Sequence, residues 1–361
     1  MVFLFIIIIF FLSFSNGAND NFKGVATIWG SRTLNFRSAL LLANASTFLG
    51  SVMATVLGYQ ILRVFSGKGL VPDFVLQNSD FATAFALGAG GCVFLATVLR
   101  LPISTTHALL GALAGAGAWF AGSQLSLAVP GPVAAVPLLV SPFLAAGLTF
   151  LTFNGMRGAS QITSKFFGAP WPGRTPALAH SFSKANEVID RQPARQAPIG
   201  GRAEALCGAD YLHILSGCLV CFSRGVNDTP KIASLLLLGS LTIGDTFWAF
   251  MLVAGSILLG GAVFALRVAT TMSQEITDVP RSQGLVGNLV TAMLVLFASK
   301  LGMPVSTTHV AVGSLIGIGV ITRAGHWTRI SQILFSWLLT IPCAFCFALL
   351  AGAAFSALGP S

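Results

Sequence analysis

The chain has 361 residues, of which 55% are hydrophobic and only 9% charged, with a net charge of +9 and a mean hydropathy of +0.83. A soluble domain carries about 25% charged residues, so this composition excludes an ordinary soluble enzyme or binding module and implies a polytopic membrane protein. The basic excess calls for no nucleic-acid partner, because much of it lies in connecting segments, where lysine and arginine orient membrane spans.

A helical span needs about 20 consecutive apolar residues. The first apolar run, Met1 to Phe14, has no basic leader and no small-residue cleavage site, which separates it from a secretory signal. It is expected to continue to residue 30 as the first half of a broken membrane helix. Its abrupt start is what a chain with a few further upstream residues would show. Apolar segments follow near 38–65, 81–100, 102–120 and 132–153. A polar interval, 154–210, then carries seven arginines and lysines, including Arg157, Lys165 and Arg195, among prolines and glycines, and reads as a cytoplasmic linker. Hydrophobicity resumes near 211–238, 245–268, 285–301, 303–321 and 330–357. The runs are continuous rather than alternating, which disfavours a transmembrane β-barrel. The expected fold is an all-α polytopic membrane protein: residues 1–153 form a first transmembrane repeat, 154–210 a polar cytoplasmic loop, and 211–361 a second transmembrane repeat.

Two phrases support the repeat. Asn16-Gly17-Ala18-Asn19-Asp20 with Lys23 returns as Arg224-Gly225-Val226-Asn227-Asp228 with Lys231. Leu101-Pro102-Ile103-Ser104-Thr105-Thr106-His107 returns as Met303-Pro304-Val305-Ser306-Thr307-Thr308-His309. Doubled polar, helix-breaking phrases in an apolar chain are the mark of a secondary transporter. An odd-membered first half joined to a like second half makes the repeats cross in opposite senses, an inverted repeat.

An aspartate at membrane depth costs at least a few kcal/mol unless it is paired, solvated or bound to a cation. Glycine stands two residues before each Asn19 and Asn227, which permits the helix to unwind there. Unwound carbonyls, the Asp20 or Asp228 carboxylate and the Asn19 or Asn227 amide oxygen then form a hard-oxygen cage suited to Na⁺, with Asp20 and Asp228 as the metal ligands if sodium is the coupling ion. Lys23 and Lys231 lie at i+3 from the aspartates, within ion-pair reach. A self-satisfied Asp–Lys stitch is the competing reading, but it leaves the duplication unexplained.

The Ser-Thr-Thr-His phrases follow a proline, which fits the first turn of a helix, and precede a glycine-rich helix. A helix N-terminus attracts anions through its free N–H groups and dipole. Two such ends ringed by Ser104, Thr105, Thr106, Ser306, Thr307 and Thr308 suit a tetrahedral oxyanion. The apolar stretch after each tip is short, so each phrase reads as the turn of a re-entrant hairpin. His107 and His309 either carry a coupling proton or hydrogen-bond the nearby backbone. Arg224 stands where it can touch the substrate path, and Glu275 is a solvated end-cap or a coupling carboxylate. The pairs Cys218/Cys221 and Cys343/Cys346 lie in apolar helices and read as packing residues. Neither a Walker A pattern nor an HExxH pair occurs, so no nucleotide or enzymatic site is expected and uphill transport must draw on an ion gradient.

These phrases resemble the signatures of the inorganic phosphate transporter (PiT) family, as does Arg267-Val268-Ala269-Thr270-Thr271-Met272 in the second half. The likeness covers nearly the whole chain outside 154–210. It implies a secondary-active symporter that imports inorganic phosphate with Na⁺ or H⁺ by alternating access, with inverted repeats, two re-entrant hairpins and commonly a homodimer, in a bacterial-type inner membrane. No cofactor beyond the coupling ion is implied. Carried over, Asn19, Asp20, Asn227 and Asp228 couple the cation. The six tip hydroxyls, with Lys231 and Lys23, hold phosphate. Lys23 departs from the family pattern, where asparagine is frequent, and Thr47 stands near a position where some members have glutamate. The family also contains sulfate permeases, so a sulfate symporter is the alternative reading, and an anion channel a weaker one.

Overall fold

The computed structural model describes residues 2–65, 71–126, 130–167, 208–238 and 246–358. The described residues are helical, joined by short turns, with one isolated β-bridge between Thr277 and Gly325. The first half comprises α1 (Val2–Asp20), which runs through a 3₁₀ turn into α2 (Ala26–Gly30), then α3 (Phe36–Leu57), α4 (Ser79–Val98), α5 (Thr105–Phe120) and α6 (Pro130–Phe167). The second half comprises α7 (Gly208–Leu238), α8 (Thr246–Phe264), α9 (Arg281–Lys300), α10 (Thr307–Thr322) and α11 (Trp327–Ala357).

Packing follows an exchange of halves. α1 packs on α8 as α7 packs on α3, and α5 packs on α11 as α10 packs on α6. Within each half α4 touches α1 and α5, as α9 touches α7 and α10. The closest approaches obey the same rule. A Cβ on Gly17 would overlap the Ile257 carbonyl, and one on Gly225 the Thr47 carbonyl. Gly260 meets the Phe14 carbonyl as Gly50 meets that of Phe222. Small residues are what let membrane helices come this near, and here they fix one backbone-to-backbone register twice.

The surface is apolar and the middle polar, the reverse of a soluble protein. Leu41, Phe143, Met293 and Leu338 are each more than 65% exposed, whereas Asp20, Lys23, Arg224, Asp228 and Lys231 are each at most 5% exposed. Among the described residues seven helical stretches are long and apolar enough to cross a bilayer. α7, at 31 residues, is also long enough, but it carries Arg224, Asp228 and Lys231 near its middle. α5 and α10 have 16 residues each, about 24 Å at 1.5 Å per residue, too short to cross. That length is what a hairpin re-entering the bilayer from α4 or α9 requires. The protein is thus an all-α, multi-pass membrane protein. At the expected linker, helix α6 continues past residue 153 to Phe167; residues 168–207 of that interval lie outside the described residues.

Candidate functional site

The hairpin tips are built by local rules. α4 ends with the Arg100 N–H bonding to Thr97 O and Leu101 N–H to Ala96 O, with Arg100 left-handed at φ 61°. α9 ends alike: Gly302, at φ 68°, bonds to Ser299 O and Met303 to Ala298 O. This pair of bonds is the Schellman stop, which wants glycine at the left-handed position; the first copy uses arginine there. An extended stretch follows, and Ser104 or Ser306 caps the next helix, its Oγ accepting from His107 N–H or His309 N–H at 3.2 Å. The prolines are therefore not first-turn residues. Pro102 and Pro304 precede the caps by two positions, in the extended strand of the tip, where their fixed φ suits the chain.

The Asn-Asp phrase breaks its helix in only one copy. α1 stays helical through Gly17 and changes to a 3₁₀ turn after Asp20, whereas α7 runs unbroken from Gly208 to Leu238 past Gly225 and Pro230. The expected unwinding at Gly225 is absent because that glycine serves a close helix contact instead. Asn227 and Asp228 thus project from a regular helix.

Both phrases nevertheless meet in one buried cluster, and its bonds cross between halves. Lys23 Nζ donates to its own tip's Ile103 O at 3.0 Å and to the opposite tip's Thr308 Oγ1 at 2.6 Å. Lys231 Nζ donates to its own tip's Val305 O at 2.8 Å and to the opposite tip's Thr106 Oγ1 at 2.9 Å. Thr308 donates to Ile103 O at 2.7 Å and Thr106 to Val305 O at 3.3 Å. Each threonine therefore bridges one half's lysine to the same half's tip carbonyl. Thr105 donates to Asp20 at 3.0 Å and Thr307 to Asp228 at 3.4 Å.

The asparagines hold the tips in place. Asn19 donates to Thr97 Oγ1 and Leu101 O, both at 3.0 Å, and accepts from Lys23 at 2.9 Å. Asn227 donates to Val305 O at 3.3 Å and accepts from Ser299 Oγ at 3.2 Å. His107 and His309 lie one turn behind the tips with ring centroids 4.5 Å apart, and His309 stacks on Trp337 at 3.8 Å. His309 Nδ1 faces Leu138 O at 3.0 Å, while His107 Nδ1 and His309 Nε2 have no hydrogen-bond partner among the described residues.

Ion pairs join Lys23 to Asp20, Lys231 to Asp228 at 3.2 Å, and Arg224 Nε to Asp228 at 3.4 Å. Arg224 also donates to the side-chain oxygens of Asn16 and Asn21. Counted at their ordinary charges, three cations against two carboxylates leave one surplus positive charge among buried side chains. The N-termini of α5 and α10 meet at the same place, and the positive ends of their dipoles likewise favour an anion.

Sequence reasoning ranked Arg224 below the motif residues and omitted Asn16, Asn21, Thr97 and Ser299. The clue was present: Arg224 opens the second copy of the phrase where Asn16 opens the first, and these two equivalent residues touch. A small cavity beside Lys23, lined by Thr27, Asn288, Thr291 and Ser314, was also unforeseen. His213 Nε2 meets Thr27 Oγ1 at 3.0 Å, and Thr27 donates to Asn288 at 3.0 Å. Glu275 pairs with Arg329 at 2.8 Å, is about one-third exposed and stands apart from the cluster. The described cysteines are unpaired thiols, and no group of three or more metal-ligating His, Cys, Asp or Glu side chains occurs among the described residues.

Comparison with known proteins follows the same geometry. The profile of the PHO4 phosphate transporter family matches residues 16–348. The chain is 26% identical over 413 aligned residues to "Inorganic phosphate transporter 2-1, chloroplastic" of Arabidopsis thaliana, covering 92% of this chain and 68% of that one. A solved structure titled "The sodium-dependent phosphate transporter" superposes with a TM-score of 0.77 at 24% identity, over 99% of this chain and 100% of that chain.

Proposed function

The chain belongs to the phosphate transporter family, a family of transporters and not of enzymes, and from that premise we propose that it is a secondary-active symporter importing inorganic phosphate with Na⁺ or H⁺ by alternating access. One observation carries the reading: two Ser-Thr-Thr tips from opposite halves meet amid Lys23, Arg224 and Lys231, with Asp20 and Asp228 beside them.

Phosphate enters between the tips. Ser104, Thr105, Thr106, Ser306, Thr307 and Thr308 turn their hydroxyls to it, and the two lysines supply charge. The carboxylates of Asp20 and Asp228, steadied by Asn19 and Asn227, take the coupling cation. Each charge makes burial of the other tolerable, since an isolated ion in a low-dielectric interior is rejected. If the coupling ion is H⁺, the contacting His107 and His309 are its carriers. The solved relative's title names sodium, which makes Na⁺ the first ion to try.

The first tip's carbonyl favours phosphate over sulfate. Ile103 O accepts from Lys23 and Thr308, which the anion recruits, whereas Val305 O also keeps Asn227 as a donor. A protonated phosphate oxygen can donate to Ile103 O in return, whereas sulfate has no hydrogen to offer, and a buried acceptor left bare costs about 1–3 kcal/mol. Residues 1–153 and 211–361 act as the two transport repeats, in a homodimer within a bacterial-type inner membrane.

Reconstitution into liposomes, with Na⁺ and pH gradients imposed separately, tests this. Labelled phosphate uptake is expected to follow one gradient and to yield to excess phosphate but not to sulfate. Uptake indifferent to both gradients overturns symport, conductance without coupling indicates a channel, and equal competition by sulfate overturns the anion.

A further inference from the structure

Lys23 sits in a ligand shell of the kind a metal cation would choose. Around its Nζ lie the Asp20 carboxylate, the Asn19 amide oxygen at 2.9 Å, the Ile103 carbonyl at 3.0 Å and the Thr308 hydroxyl at 2.6 Å. Carboxylate, amide, carbonyl and hydroxyl oxygens are the ligands of hard cations, and here α1 and both hairpin tips contribute them. The ammonium has three hydrogens for four oxygens, so the shell exceeds what lysine alone requires. Among the described residues Asp20 pairs with no other cation.

The second half differs. Lys231 has three oxygen partners, because the Asn227 amide oxygen accepts from Ser299 instead. Asp228 is shared between Lys231 and Arg224 at 3.2 and 3.4 Å. When Lys231 turns to an arriving anion, Asp228 keeps Arg224 on Oδ2 and has Oδ1 open to an external cation, while Asp20 stays matched by Lys23. Charge then sets the cargo. The empty cluster holds one surplus positive charge, a phosphate dianion leaves one negative charge, and a single monovalent cation restores neutrality, the condition under which burial costs least.

Resting on the symport reading above, we propose that the Lys23 ammonium is a built-in coupling cation: it fills the first cation site from within, so that the carrier takes up one free cation with each phosphate dianion and a second only when Lys23 is neutralised.

The test is the ratio of coupling cation to phosphate in proteoliposomes at alkaline pH, where the dianion predominates, measured with sodium and phosphate tracers or, for protons, a pH dye. The wild type is expected to show a ratio near one, Lys23→Arg the same, and Lys23→Asn a ratio near two. A wild-type ratio of two or more, or an unchanged ratio in Lys23→Asn, overturns the proposal. Should Lys23→Asn carry no phosphate, thermal stability of the purified variant decides. Added cation without phosphate should raise its melting temperature more than that of the wild type, and no such gain overturns the inference. Wild-type uptake that responds to no cation removes the symport reading itself, and this inference with it.

Discussion

The two lysines occupy equivalent places, yet their surroundings differ. Beside Lys23 lie Thr27, Asn288, Thr291 and Ser314 around a small cavity. Thr97 and Ser299 mark the common register of α4 and α9, and counted from them Asn288 and Thr291 correspond to Ala86 and Ala89. Likewise Ser314 corresponds to Ala112 and Thr27 to Leu235, all four counterparts buried in the largest apolar core. Phe65 closes over Lys231, its ring centroid 5.9 Å from Nζ. The Lys23 side thus keeps a small cavity with polar groups in its lining, whereas an aromatic ring lies over Lys231. Duplication supplies two matched sets of ligands. Divergence of the packing behind them gives the two lysines different neighbours.

The strongest way to break this comparison is to remove the carboxylates one at a time. Asp20→Asn and Asp228→Asn should each abolish cation-driven uptake and lower stability by roughly 3–5 kcal/mol, the cost of stranding a buried partner charge. Asp228→Asn should lose more, since it leaves Arg224 and Lys231 facing each other, and thermal unfolding in detergent reports the difference. Wild-type uptake in both variants would sink the assignment.

Thr106→Val and Thr308→Val probe what the halves share. Each removes a crossed hydroxyl and should raise the phosphate KM roughly 5- to 150-fold, from the ~1–3 kcal/mol of an unsatisfied buried group. Initial-rate kinetics should find the two nearly equal; a large inequality would mean that only one tip holds the anion. Gly17→Ala and Gly225→Ala test the scaffold, and each should destabilise by about 1–3 kcal/mol through overpacking against a carbonyl. The smallest effect is expected at Arg100. Arg100→Gly relieves a left-handed arginine and should stabilise by about 1 kcal/mol, bringing the first tip into line with Gly302; a lower melting temperature would contradict this.

Much of this arrangement was legible in the sequence because it is written twice. The doubled phrases located both aspartates, both lysines and all six tip hydroxyls, and the short apolar stretches after the tips marked α5 and α10 as half-helices. What failed was local inference about backbone. Glycine before Asn227 was read as a licence to unwind, but a missing Cβ serves close packing equally well, and only the neighbouring Thr47 carbonyl decides between them. Proline was placed inside the helix start when Ser104 and Ser306 were the caps. The polar lining beside Lys23 had no signature, because Thr27, Asn288 and Ser314 come from three separate helices and meet only after folding.

The crossed contacts also bear on the return half of the cycle. A carrier that accumulates its solute has to come back unloaded, and two bare carboxylates would make that crossing costly. Here the empty site closes on itself: each aspartate keeps a tethered ammonium, and each tip carbonyl keeps a threonine and a lysine as donors. On the symport reading, the unloaded form reorients with both carboxylates paired, rather than waiting for a second phosphate on the far side. Net accumulation, rather than one-for-one exchange, is the transport mode such a self-closing site suits.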